Sequence, residues 1–161
     1  MKKIFLIAAI FCSAIVVLQS CSPKGAATTQ PVRRGDITGN WILNDITFDG
    51  VPQASVKSLF GESSYKCFVG SAWRLTNSGN GSYTLGSECG SKMQTIYWSA
   101  SPKDDTFQFK KLYEGDKAKN VTEGYRMLIA SANGDTMVIK TPVDYGNRTA
   151  YIVLNFNKAQ K

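Results

Sequence analysis

From residue 37 onward apolar and polar positions alternate in short runs broken by Gly, Asn and Asp, the period of two that marks strands with one buried face. Eight strands are predicted, over residues 38–48, 67–76, 81–85, 93–99, 106–113, 122–131, 136–141 and 149–156. Asp49-Gly50 ends the first strand and Pro52 prevents its continuation. Between the first two strands, Val56, Leu59 and Phe60 recur at helical spacing and stop at Gly61, which predicts a short helix over residues 53–60. Asn77 to Gly81 and Asn133-Gly134 supply residues tolerant of positive φ, so the strands on either side form hairpins.

The alternation also assigns faces. Trp73 and Leu75, Tyr83 and Leu85, Ile96 and Trp98, Phe107 and Phe109, Met137 and Ile139, and Ile152, Leu154 and Phe156 each share one side of their strand. Short sequential connections favour antiparallel neighbours. Rolling the sheet closed buries the apolar face and removes exposed edges. The expected fold class is therefore all-β: an eight-stranded antiparallel up-and-down β-barrel with a short helix after the first strand.

The first residues follow other rules. Lys2 and Lys3 precede an apolar run over residues 4–18, the shape of a secretory signal. That run is shorter than the roughly 20 residues a membrane-spanning helix requires. Leu18-Gln19-Ser20-Cys21 resembles the lipobox of bacterial lipoproteins. The resemblance implies cleavage before Cys21, acylation of its thiol, and no membrane helix in the mature chain. The competing reading is a plain secreted protein in which Cys21 is incidental. Ser22 in the position after the cysteine fits the sorting pattern of Gram-negative lipoproteins delivered to the outer membrane. Residues 1–20 are then a signal peptide, 21–36 a Ser-, Pro-, Gly- and Thr-rich tether, and 37–158 the barrel. Arg33-Arg34, close to the anchor, can touch anionic headgroups.

Gly39-Asn40-Trp41 at the start of the first strand is similar to the G-x-W opening of lipocalins. With the helix and eight strands that follow, residues 37–158 resemble the small lipocalin-like domains of bacterial lipoproteins. The resemblance implies that Trp41 plugs the closed end of the barrel and that a basic residue near the end of the last strand packs on it. Arg148 precedes that strand, far from Trp41, which leaves Lys158 as the residue placed to serve.

Of the four cysteines, Cys12 lies in the signal and Cys21 takes the lipid. In an exported protein the remaining pair, Cys67 and Cys89, reads as a disulfide. A hairpin turning about residues 77–81 brings those two positions opposite one another across its strands. A redox or metal pair is the alternative, but the chain has no histidine and no C-x-x-C.

Charge changes the picture little. Without Lys2 and Lys3 the chain has 17 basic against 12 acidic residues, a net of +5, scattered in ones and twos. No basic stripe or nucleic-acid module is present, so nucleic acid is not an expected partner. The lack of histidine removes the usual nucleophile–base pairs. Asp104, Asp105 and Glu88 read as loop residues, not as a paired-carboxylate site. No enzyme, cofactor or metal site is expected. Arg126 is expected to point outward, since burying an unpaired guanidinium is costly. Asp135-Thr136-Met137 resembles an acceptor tripeptide of bacterial protein O-glycosylation.

Two functions stay open. Trp73, Tyr83, Trp98, Phe107, Phe109 and Met137 face the lumen and can line a site for a small hydrophobic or amphipathic ligand. The same side chains can instead fill the barrel. Tyr97, Tyr113 and Tyr151 on the outside would then serve an accessory subunit of an outer-membrane or envelope complex.

Overall fold

The computed structural model describes residues 31–160; the signal, the lipobox and Cys21 lie outside the described residues. Eight strands follow in order: β1 Gly39–Asp49, β2 Ala72–Leu75, β3 Asn80–Thr84, β4 Met93–Ser101, β5 Thr106–Leu112, β6 Tyr125–Ala132, β7 Thr136–Tyr145 and β8 Arg148–Lys158. Each pairs antiparallel with the next, and β8 returns to β1 to close the barrel. The closing register runs from Trp41↔Lys158 to Asp49↔Tyr151, with a bulge between Leu43 and Asp45. A second bulge interrupts β6 between Ile129 and Ser131. Such an extra residue bends a strand and adds the twist a small barrel needs.

Every residue assigned to the inner face by alternation is buried, from Trp73 on β2 to Phe156 on β8. The β2–β3 hairpin has the expected register, Trp73↔Tyr83 and Leu75↔Gly81. The disulfide forms between Cys67 and Cys89, with Cα atoms 5.4 Å apart. It does not lie on the strands, however. Cys67 sits in a 3-10 turn, Tyr65–Phe68, and Cys89 in another, Ser87–Cys89. The strand expected from residue 67 starts only at Ala72, because Gly70 turns the chain at φ +76° so that residues 70 and 71 can bond Leu43 on β1.

The helix expected over residues 53–60 contracts to one 3-10 turn, Gln53–Ser55, and Val56 is already extended. Eight residues with three apolar positions are too few to offset helix nucleation. Leu59 and Phe60 reach the core by another route. A two-residue turn with Phe60 at φ +47° and Gly61 at φ +77° is bridged by Leu59 and Glu62 and carries both side chains inward. The tether expected to run through residue 36 ends earlier. Arg34–Ile37 form one helical turn, α1, whose Ile37 is wholly buried.

Strand directions sort the connections. Helix α1 and the links 76–79, 102–105 and 133–135 lie at the end where β1 begins. The segments 50–71, 85–92, 113–124 and 146–147 lie at the opposite end, the mouth, and the longest of them folds over it.

Candidate functional site

The α1 end is sealed by its own side chains. Trp41 is fully buried and its indole N–H donates to the carbonyl of Ile37 at 2.7 Å. The Lys158 ammonium stands 4.2 Å from the Trp41 ring centroid and donates to the carbonyl of Thr38 at 2.8 Å. Gly39 has φ +138°, a conformation that favours glycine, and a Cβ there would also push the Lys158 ammonium aside. Arg148 is at the far end, bonded to the carbonyl of Gly50. The Arg34 guanidinium lies 4.4 Å over the ring of Trp98 and donates to the carbonyl of Asn77. Arg34 thereby helps to close this end of the barrel.

The lumen is filled. Trp73 packs on Tyr83 with centroids 4.8 Å apart, on Phe109 at 5.6 Å and on Phe156 at 5.7 Å, while Trp98 stacks on Phe107 at 5.8 Å. The space left among Phe60, Trp73, Met127, Met137 and their neighbours is about 10 Å³. That is barely one water, against the roughly 300 Å³ or more of a ligand pocket. Trp73, Tyr83, Trp98, Phe107, Phe109 and Met137, expected to face a ligand, here face one another.

What stoppers the mouth is a loop and not a strand. The Phe60 ring drops into the mouth, 5.1 Å from Phe109, 5.4 Å from Phe68 and 5.0 Å from Tyr125. Phe68 belongs to the same segment but adjoins Cys67, so the disulfide holds it to the 85–92 connection. Phe60 lies outside that staple.

The plug is fastened by charge. On β5, Phe107 and Phe109 point inward and the period of two continues to Lys111, which places a lysine on the inner face at the rim. Its Nζ meets Glu62 Oε1 at 2.9 Å, with both side chains largely shielded. Burial alone would lower the Lys111 pKa, but the Glu62 carboxylate and the Tyr83 phenol oppose it, and the net shift is upward. The buried Tyr83 hydroxyl has no hydrogen bond of good geometry, although the Lys111 ammonium stands 5.9 Å from the centre of its ring. Burial pushes the Tyr83 phenol up, against the opposing pull of Lys111.

Beside this cluster the barrel wall is open. β6 begins at Tyr125 opposite Phe109, so β5 beyond Phe109 has no partner on that side. The 113–124 segment bows outward and leaves a surface groove of about 770 Å³ whose lining includes Lys111 and Tyr125. Lys110, on the outer face, ties the segment back by donating to the carbonyl of Val121 at 2.6 Å.

The structure thus brings together Phe60, Glu62, Tyr83, Lys111 and Tyr125, of which only Tyr83 is among the sequence-predicted ligand-facing residues. Lys111 was legible as the next inward position after Phe109, and Tyr125 as the inward position before Met127. Phe60 and Glu62 carried no such signal, because their placement depends on a turn with no regular period. Of the remaining candidates, Arg126, Tyr97 and Tyr113 are exposed, and Tyr151 is half-buried beneath Lys140. The Thr136 hydroxyl donates to Asn133 within a tight turn. Among the described residues no helix is long and apolar enough to cross a membrane. No family model, no curated protein and no solved structure matches the chain.

Proposed function

We propose that this is a lipid-anchored, lipocalin-like lipoprotein of the bacterial outer membrane, a binder and not an enzyme, whose barrel takes a small apolar or amphipathic molecule at its mouth. The observation that carries the reading is the origin of the plug. The ring that closes the mouth comes from a loop outside the disulfide staple, so it can leave without unpairing any strand of the barrel. The resemblance to the lipobox around Cys21 and the Gly39–Trp41–Lys158 arrangement at the closed end support the anchor and the family. Native mass spectrometry of the protein extracted from its membrane tests the reading. The expected result is a retained small molecule on the chain. A bare chain, together with no uptake of apolar probes when Phe60 is replaced by Gly, overturns it.

A second reading is favoured by the filled lumen: a solid barrel acting as accessory subunit of an envelope complex through exposed residues such as Tyr97 and Tyr113. The same spectrum separates the two, because this reading requires a stoichiometric protein partner in place of a small molecule.

A further inference from the structure

We infer that the 59–62 turn is an internal stand-in for the ligand, with the Phe60 ring occupying the place of its apolar part and the Glu62 carboxylate that of its head, so that the ligand is an apolar monocarboxylate whose anion is held by Lys111. The inference rests on the proposed binding function and adds to it the ligand class and the residue that selects it.

Three independent features meet at this point. The first is a lysine on the inner face at the mouth of the barrel, next to the buried rings of Phe109 and Tyr83. No strand of the barrel supplies this ammonium with a carboxylate at hydrogen-bond distance; Glu62 does so from the loop at 2.9 Å. The second is Phe60, a non-glycine residue held at φ +47°. A left-handed conformation of this kind persists only where the surroundings hold it, and here the ring is clasped by Phe68, Phe109 and Tyr125. The third is the buried Tyr83 hydroxyl beside Lys111, which meets that ammonium without a hydrogen bond of good geometry. Lys111 makes a well-formed bond to Glu62 and only a poorly aligned one to Tyr83. A free carboxylate, unconstrained by the turn, can accept from both, which gives a ligand an advantage over the plug it displaces. The groove at the β5–β6 opening reaches Lys111 and Tyr125 and supplies an approach from solvent.

The space vacated by the turn is ring-sized, so phenylbutyrate is the fitting probe and phenylbutanol its neutral counterpart. Calorimetry of the full chain in phosphatidylcholine nanodiscs, with empty nanodiscs as the reference, reads both affinities. Glu62→Gln is expected to bind phenylbutyrate about tenfold more tightly than the wild-type chain, as befits loss of one competing charge-assisted hydrogen bond. Phe60→Gly should raise the affinity for both probes together. Lys111→Met should abolish the preference for the acid while phenylbutanol still binds, and Tyr83→Phe should reduce that preference with an unchanged circular dichroism spectrum. A Glu62→Gln chain that binds the acid no better than wild type, or a Lys111→Met chain that keeps the preference, overturns the inference and leaves the binding function standing. Failure of both probes to bind every folded variant, Phe60→Gly included, removes the binding function itself.

Discussion

The Lys158 ammonium sits 4.2 Å from the centre of the Trp41 ring, and the two residues are register partners across the β1–β8 seam that closes the barrel. The contact joins the two ends of the barrel sequence. A cation over an indole contributes about 1 kcal/mol or more when partly desolvated, and the hydrogen bond to the Thr38 carbonyl adds roughly another. Lys158→Met is expected to lower unfolding stability by about 1–2 kcal/mol in urea titrations followed by tryptophan fluorescence. Gly39→Ala should be at least as damaging, because it both strains the backbone and displaces the same ammonium.

At Phe60 the usual order of two substitutions should reverse. In most positions Ala is more favourable than Gly, since glycine has more conformational freedom to lose. Phe60 is at φ +47°, where a Cβ costs about 1 kcal/mol that glycine does not incur. Both variants lose the ring, but Phe60→Gly should be about 1 kcal/mol more stable than Phe60→Ala. Parallel urea melts of the two chains check this; Phe60→Ala proving the more stable would mean the turn relaxes without its ring.

The bond between Cys67 and Cys89 closes a loop with a sequence separation of 22 and fastens the 50–71 segment to the 85–92 connection. In the chain-entropy account such a loop contributes roughly 3 kcal/mol. Replacing both cysteines by alanine should lower stability by about that amount. It should also speed hydrogen exchange in residues 65–71 more than in β7 and β8, which pair with each other along ten positions.

Alkaline pH tests the fastening of the plug. Lys111 is faced by Glu62 from the loop, Tyr83 from β3 and Tyr125 from β6, and its pKa is raised by folding. A group raised in the folded state contributes stability that is complete below its unfolded value and is lost as the pH climbs through the folded one. The stability difference between the wild-type chain and Lys111→Met should therefore hold steady across neutral pH and shrink only above the ordinary lysine range. Urea midpoints of both chains, measured from neutral to strongly alkaline pH, give the difference directly. A difference already gone near pH 9 would show that the ion pair does not hold the loop.

Much of this barrel was legible in the residues. The alternation along residues 73–75, 107–109 and 152–156 dictated which side chains meet, because a strand can present only every second position to one side. The turn at Asn77 to Gly81 set the β2–β3 register and with it the approach of Cys67 to Cys89. The choice of Lys158 over Arg148 as the partner of Trp41 followed from strand direction alone. None of those readings needed distances. The mouth was different. Three apolar residues at helical spacing pointed to a helix over 53–60, yet a helix there could not lower one ring into the lumen, and burial of Phe60 was worth more than a turn of weak helix. Whether eight inward aromatic and aliphatic faces enclose a cavity depends on barrel radius and on what the longest loop does with its tip. Both are settled by packing between residues distant in the chain, and no local rhythm of greasy and polar positions encodes them.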